Sequence, residues 1–299
     1  MLALVTGAGA LPSIVAAHQS APPLICALDG HAPDGLEVDL WFRLETIGTL
    51  LHRLVKRGVT DVCFCGAIQR PGFNPLRLDG RTMPLVPTLA KAVKDGEDAA
   101  LRAILGLFEQ RGMVVHGAHT LVPDLLPPAG VLTRVQTPDD LDVQIRAAEQ
   151  VSIEQGRSDL GQSCVIRDAQ VIAQEDARGT DAMLRSLSEP RPAPPPSGAD
   201  DPFGAAMDMV GGMLDDAADW LSGPVAEARA KQAGGVFFKA PKPGQDHRAD
   251  LPTIGPGTAR AVVDARLDGM VIAAGGVMVL DRAEVLRILD EAGLFLWVR

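Results

Sequence analysis

LALVTGAGALPSIVAAHQSAPPLICAL, residues 2–28, decides how the first half of the chain folds. An apolar run over 2–6 stops at Gly7, helical spacing follows over about 12–19, and a second apolar run covers 23–28. Strand, turn, helix and strand in so short a stretch is the unit from which parallel sheets are wound. The alternation continues outward. Ile47, Leu50, Leu51, Leu54 and Val55 fall at helical spacing within 46–57; 59–65 reads as a third strand, 97–111 as an amphipathic helix and 113–116 as a fourth strand. Apolar runs without in-out alternation belong to strands covered on both faces, so a parallel α/β sheet between helix layers is expected.

The pattern breaks over 123–137, where prolines gather without a strand or helix period. The expected domains are therefore 1–130, a linker at 131–137, and 138–299. The second half begins with a helix over 138–154 whose first turn is acidic (Asp139, Asp140), as the helix dipole favours. Strands are expected at 163–167, 170–174, 236–239, 270–273 and 277–280, and helices at 181–187, 257–266 and 282–292. The fold class is α/β: an N-terminal Rossmann-like parallel-sheet domain plus a second, more β-rich α/β (α+β) domain. Between its elements, EPRPAPPPSGADD (189–201) has a composition that cannot bury enough surface to order itself. It opens an expected insertion at about 189–233, with a short helix near 207–220 and no catalytic part.

Composition excludes several function classes. A formal net charge of −10 argues against a nucleic-acid surface. No run of 18 apolar residues is available to span a bilayer, and no basic segment precedes the glycine-interrupted N-terminus as in a signal peptide, so a cytoplasmic protein is expected. The four cysteines sit in apolar, strand-like runs without the paired spacing of a zinc site, and read as buried reduced thiols.

Chemistry concentrates in VFFKAPKPGQDHRADLPTIGPG, 236–257. The strand ends at Lys239, and Pro241, Pro243, Pro252 and Pro256 then forbid a regular helix or a central strand. This irregular loop still carries Asp246, Asp250, Lys239, Lys242, Arg248, Gln245 and His247. Two carboxylates can hold a hard cation such as Mg²⁺, and the Lys and Arg side chains suit phosphate; a solvated, charge-rich turn is the plainer alternative. TGAGA (6–10) is half of a dinucleotide fingerprint, in which Gly7 and Gly9 let backbone N–H groups approach a phosphate, but Pro12 stands where the third glycine belongs. Thr180 and Asp181 open a helix, where either is a cap by default; Thr180 is also a candidate contact to a phosphate or sugar, and Glu175 and Asp181 are further candidate metal ligands. Arg70 lies just past the third strand, within reach of a nucleotide phosphate. His116 and His119, an HxxH at a strand end, read as structural or exposed.

QDHRADLPTIGP (245–256) also resembles the signature of the UDP-2,3-diacylglucosamine pyrophosphatases of the lipid A pathway that lack a calcineurin-like fold. The resemblance extends in order through AGALP (8–12), CGAIQRPGF (65–73), KDGEDAALR (94–102), LGQSCVI (160–166), GTDAML (179–184), AGG (274–276) and LDRAEVLRILDEAGLF (280–295). It departs at Arg178, where the family usually has an acidic residue, and at the insertion, which the family usually lacks.

What the resemblance implies is cleavage of UDP-2,3-diacylglucosamine to UMP and 2,3-diacylglucosamine 1-phosphate (lipid X), with Mg²⁺ and water and with attack at the sugar-side phosphorus. It implies substrate contacts at Gly7, Gly9, Ala10, Leu11, Arg70, Gln162, Thr180, Lys239, Lys242, Gln245, Arg248, Gly275 and Gly276. Asp246 and Asp250 are expected to share metal binding and water activation, with either in either role. A homodimer in peripheral contact with the inner membrane of a Gram-negative cell is expected. The rival readings are an NAD(P)-dependent oxidoreductase and a non-catalytic nucleotide- or lipid-binding protein.

Overall fold

The computed structural model describes residues 1–68, 73–94, 96–139, 141–157, 161–188 and 234–299. They group into two units. The first is Met1–Pro128 with Pro243–Ile254 and Ala274–Arg282; the second is Ala129–Lys242 with Gly255–Ala273 and Ala283–Arg299. Two short segments from the second half of the chain thus belong with the first, a division that no single boundary describes.

In the first unit β1 (Leu2–Thr6), β2 (Leu24–Leu28), β3 (Leu40–Phe42), β4 (Asp61–Cys65) and β5 (Val114–His116) form a parallel sheet in the order β3-β2-β1-β4-β5. Helices α1 (Leu11–Ala17), α2 (Ile47–Lys56), α3 (Val86–Lys94), α4 (Glu97–Glu109) and α5 (Ala118–Leu121) follow β1, β3, β4 and β5, with α3 and α4 both after β4 and no helix between β2 and β3. Both faces are covered, and successive side chains of a strand serve opposite faces. Ala3 and Val5 of β1 join Leu50, Leu51 and Leu54 of α2 and Leu105 and Phe108 of α4 in one apolar cluster. Leu4 points the other way, packing with Val15 of α1 and with Cys63, Leu251 and Met278. Leu251 and Met278 are what tie the two returning segments to this unit.

The remaining strands are β6 (Gly130–Val131), β7 (Ser163–Arg167), β8 (Gln170–Gln174), β9 (Val236–Lys239), β10 (Thr253–Ile254), β11 (Gly269–Ile272), β12 (Met278–Val279) and β13 (Phe295–Val298). β10 and β12 pair in parallel within the first unit. The other six form the sheet of the second unit in the order β6-β13-β11-β9-β7-β8. β11 runs parallel to β9 and β13, whereas β7 is antiparallel to β9 and β8. Helices α6 (Leu141–Arg157), α7 (Thr180–Ser188), α8 (Pro256–Asp264) and α9 (Arg282–Ala292) belong to this unit except for the first residue of α9. Leu141, Ile145 and Ala148 of α6 pack on Cys164 and Ile166 of β7, Phe238 of β9 and Val271 of β11.

The fold is thus α/β in both units, with the first sheet fully parallel. The four cysteines are free and buried, and burial pushes the thiols of Cys26 and Cys164 up to about 12. Among the described residues no helix is long and apolar enough to cross a membrane. The expected insertion at 189–233 lies outside the described residues.

Candidate active site

Three turns leave the carboxyl ends of β1, β4 and β5 and reach one pocket, the place where open parallel sheets bind ligands. The first two are knitted together. Gly7 donates its N–H to the Cys65 carbonyl at 2.9 Å, and Ala8 and Ala67 exchange backbone hydrogen bonds at 2.8 Å. Only glycine permits so close an approach: a Cβ on Gly7 would lie 2.3 Å from the Ala67 carbonyl oxygen. Gly7 therefore serves backbone packing. Gly9, at φ +93° with open space around it, lines the pocket together with Ala10 and Leu11.

The pocket has a volume of about 330 Å³ and is bordered by residues 247–251, with all its lining residues in the first unit. This loop is held by apolar anchors on either side of its acid. Ala249 packs against the cluster containing Phe108, and Leu251, 8% exposed, packs against the one containing Leu4. Asp250 sits between them. Its N–H donates to the Asp246 carbonyl at 3.0 Å, and the buried Gln245 donates from Nε2 to Asp250 Oδ2 at 2.6 Å. Gln245 thereby orients the carboxylate in the pocket wall.

Asp246 and Arg248 have a different arrangement. Arg248 donates from Nε to Asp246 Oδ1 at 2.9 Å, from Nη2 to Oδ2 at 2.7 Å, and from Nη1 to Glu109 of α4 at 2.5 Å. The bidentate contact holds the Asp246 carboxyl below its ordinary range, and the two acids raise the guanidinium pKa further. Arg248→Ala is expected to cost about 1 kcal/mol at neutral pH, a modest value because the guanidinium is 40% exposed and screened by water. The pH dependence follows from the lowered Asp246 pKa. Its stabilisation is present above the unfolded value and is lost as pH falls through the folded one. Urea melts should therefore separate wild type and variant at neutral pH and bring them together near about pH 2. A gap that persists in acid would show that Arg248 acts by packing alone.

The third turn supplies His119, which its place at a strand end had marked as structural or exposed. Its imidazole fills the space that a Cβ on Gly117 would occupy, 2.5 Å from Cε1, and Nδ1 is buried without a partner. Burial first, and His247 second, pushes His119 below the usual imidazole range. Both histidines line the pocket alongside Asp250. His119 lies one turn beyond the end of β5, the positional rule that had singled out Arg70 after β4. Arg70 itself lies outside the described residues. Gly275 (φ +67°) and Gly276 precede β12 and are not among the residues lining this pocket.

In the second unit the chain brings a separate polar group together. Lys239 ends β9 only 8% exposed and donates from Nζ to Thr180 Oγ1 at 2.9 Å. Thr180 opens α7, and Ser163 Oγ lies 3.4 Å from its hydroxyl. Glu175 Oε2 accepts from Ser163 Oγ at 2.7 Å and from the Gln162 N–H at 3.1 Å, while Gln162 Oε1 is buried without a partner. Burial pushes the Lys239 pKa down; Glu175 and Asp181 pull it back up. Lys242 follows β9 half-buried.

Whether the acids suit Mg²⁺ depends on their existing partners. Among the described residues no three His, Cys, Asp or Glu side chains form a metal-sized group. Mg²⁺ does not require one, since it commonly takes one or two carboxylates, waters and substrate phosphates. Asp250 borders the pocket and fits that role. Asp246 does not, because a guanidinium occupies both its oxygens.

These features define a two-unit α/β protein with a ligand-sized pocket at the carboxyl ends of a parallel sheet. The chain belongs to the LpxI family: residues 1–125 match the LpxI N-terminal domain and residues 128–297 the LpxI C-terminal domain. It is similar to the UDP-2,3-diacylglucosamine pyrophosphatase LpxI of Caulobacter vibrioides, with 33% identity over 301 residues, covering 98% of this chain and 95% of that protein.

Proposed function

We propose that this chain hydrolyses UDP-2,3-diacylglucosamine to UMP and 2,3-diacylglucosamine 1-phosphate, as a step of lipid A synthesis in the cytoplasm of a Gram-negative cell. The observation that carries the reading is the end-to-end likeness to LpxI, spanning both family domains. One P–O bond of the diphosphate breaks, and the water oxygen bonds to the phosphorus that loses its bridging oxygen. Attack at the sugar-side phosphorus makes UMP the leaving group.

In this reading Asp250 receives the proton of the attacking water or orients it, and Gln245 keeps the carboxylate pointed into the pocket. The open turn at Gly9, Ala10 and Leu11 meets the nucleotide. Arg248 sets the loop through Asp246 and Glu109. Lys239 and Thr180 are proposed to bind substrate in the second unit. Mg²⁺ held by Asp250 would neutralise charge building on the diphosphate. A homodimer and a peripheral membrane contact complete the proposal.

The test is UMP release from purified UDP-2,3-diacylglucosamine, run with EDTA, with Mg²⁺ restored, and in ¹⁸O-water. The expected result is UMP and lipid X in equal amounts, loss of turnover with EDTA, and ¹⁸O in the lipid X phosphate. No UMP would overturn the reading, EDTA resistance would remove Mg²⁺ from it, and ¹⁸O in UMP would move the attack to the other phosphorus.

A further inference from the structure

The chain carries a formal net charge of −10, yet residues 47–57 and 73–94 hold seven Lys or Arg and a single acid, Asp79. The seven (Arg53, Lys56, Arg57, Arg77, Arg81, Lys91 and Lys94) are exposed, and among the described residues none is in an ion pair. The two segments are joined. Gly48 of α2 donates its N–H to Thr82 Oγ1 at 2.9 Å, and a Cβ on Gly48 would lie 2.3 Å from the Arg81 carbonyl oxygen. Arg81 is also the leading cause that lowers the pKa of His52 on α2, followed by desolvation, Lys56 and Arg111, which marks a positive field there.

The same segments expose large apolar side chains: Leu76 is 94% exposed, Met83 and Val93 are 61%, Phe73 is 49% and Val55 is 48%. In addition, Arg53 borders a recess of about 270 Å³ shared with Asp29, Arg43, Thr46 and Thr49.

We infer that this face of the first unit docks on an anionic phospholipid bilayer, the cations meeting headgroup phosphates and Leu76, Met83 and Val93 entering the headgroup boundary. The inference deepens the proposed function, because it rests on a diacylated substrate that resides in a membrane. Cations interleaved with protruding apolar groups suit a bilayer interface, where the apolar side chains leave water. The charge elsewhere on the chain sharpens the orientation: an acidic molecule is repelled from an anionic bilayer except where its basic face turns inward.

The test is vesicle co-sedimentation of the full chain with phosphatidylglycerol/phosphatidylcholine vesicles and with pure phosphatidylcholine. Wild type should bind the anionic vesicles and not the neutral ones, and release from them as salt shortens the screening length. The triple variant Arg81→Gln, Lys91→Gln, Lys94→Gln should partition on the order of 100-fold less, since each surface cation contributes roughly 1 kcal/mol. Leu76→Ser with Met83→Ser should weaken binding without changing the salt slope. UMP release from substrate in detergent micelles should be equal in wild type and triple variant, with their melting curves superimposed. Equal vesicle binding by the triple variant, equal affinity for neutral vesicles, or a preference for RNA over vesicles would overturn the inference. Vesicle binding without UMP release in micelles would leave the surface standing and remove the enzymatic reading instead.

Discussion

Asp250→Asn is expected to lower kcat by about 10²- to 10⁴-fold while leaving the melting temperature nearly unchanged. The size follows from the work assigned to the carboxylate. Moving or orienting the proton of a poorly reactive water contributes that much, and the isosteric amide cannot accept the proton. Stability is spared because the loop is held by other groups. Ala249 and Leu251 keep their apolar contacts, the Asp250 N–H still donates to the Asp246 carbonyl, and the new carboxamide oxygen still accepts from Gln245. KM should change little, because the substitution leaves the Gly9 turn intact. Steady-state kinetics of UMP release, paired with a thermal melt, measure both halves. Near-normal turnover would move the chemistry out of this pocket. A large drop in melting temperature would mean that the carboxylate is a structural acceptor.

The strands that position this pocket were legible because their apolar runs are long and bounded. Leu2–Thr6 and Asp61–Cys65 lie buried in the middle of a parallel sheet, and continuous hydrophobicity is the signal of such strands. β3 was not legible: three residues with an exposed Trp41 in the middle give a period-2 pattern too little length to register. α3 was hidden by Pro84 and Pro87, which read as breakers but sit where a helix begins. Least legible was the return of 243–254 and 274–282 to the first unit. It depends on Leu251 and Met278 meeting Leu4 and Cys63, contacts far apart in sequence that no local period encodes.

The candidate site divides in the same way. Residue type marked the 245–250 loop as chemical, but the type of a side chain does not reveal its partner. Arg248 was expected on phosphate, yet its guanidinium spans Asp246 and Glu109. His119 was passed over because an HxxH at a strand end reads as a structural or exposed pair. Gly117 before it, at the carboxyl end of a strand, was the usable signal: a glycine that makes room for an imidazole.

Lys239→Met should abolish most activity and yet leave the protein as stable as wild type or more so, by up to about 3 kcal/mol. Two effects oppose each other here. Removing one partner of a buried charge group is usually costly, but replacing a buried lysine with an apolar side chain of similar length removes its desolvation penalty. The direction of the Lys239 pKa decides between them. Burial lowers it despite the pull of Glu175 and Asp181, so in the folded protein the charged form is disfavoured overall.

The groups left behind are also provided for. Glu175 keeps the Ser163 hydroxyl and the Gln162 N–H, Thr180 can turn its hydroxyl toward Ser163, and Asp181 stays in the first turn of α7, where the helix dipole favours it. The pH dependence gives an independent check. With the folded pKa below the unfolded value of 10.5, wild type binds fewer protons folded than unfolded across that window, so its stability rises as pH climbs through it. The advantage of the Met variant should therefore be greatest at neutral pH and shrink toward the unfolded lysine pKa. If instead the variant loses stability and activity together, with no narrowing in alkali, Lys239 is a structural ion-pair partner. If stability holds while kcat/KM falls by about 100-fold or more, the size expected for an oriented phosphate donor, a lysine buried at a cost in stability serves the substrate.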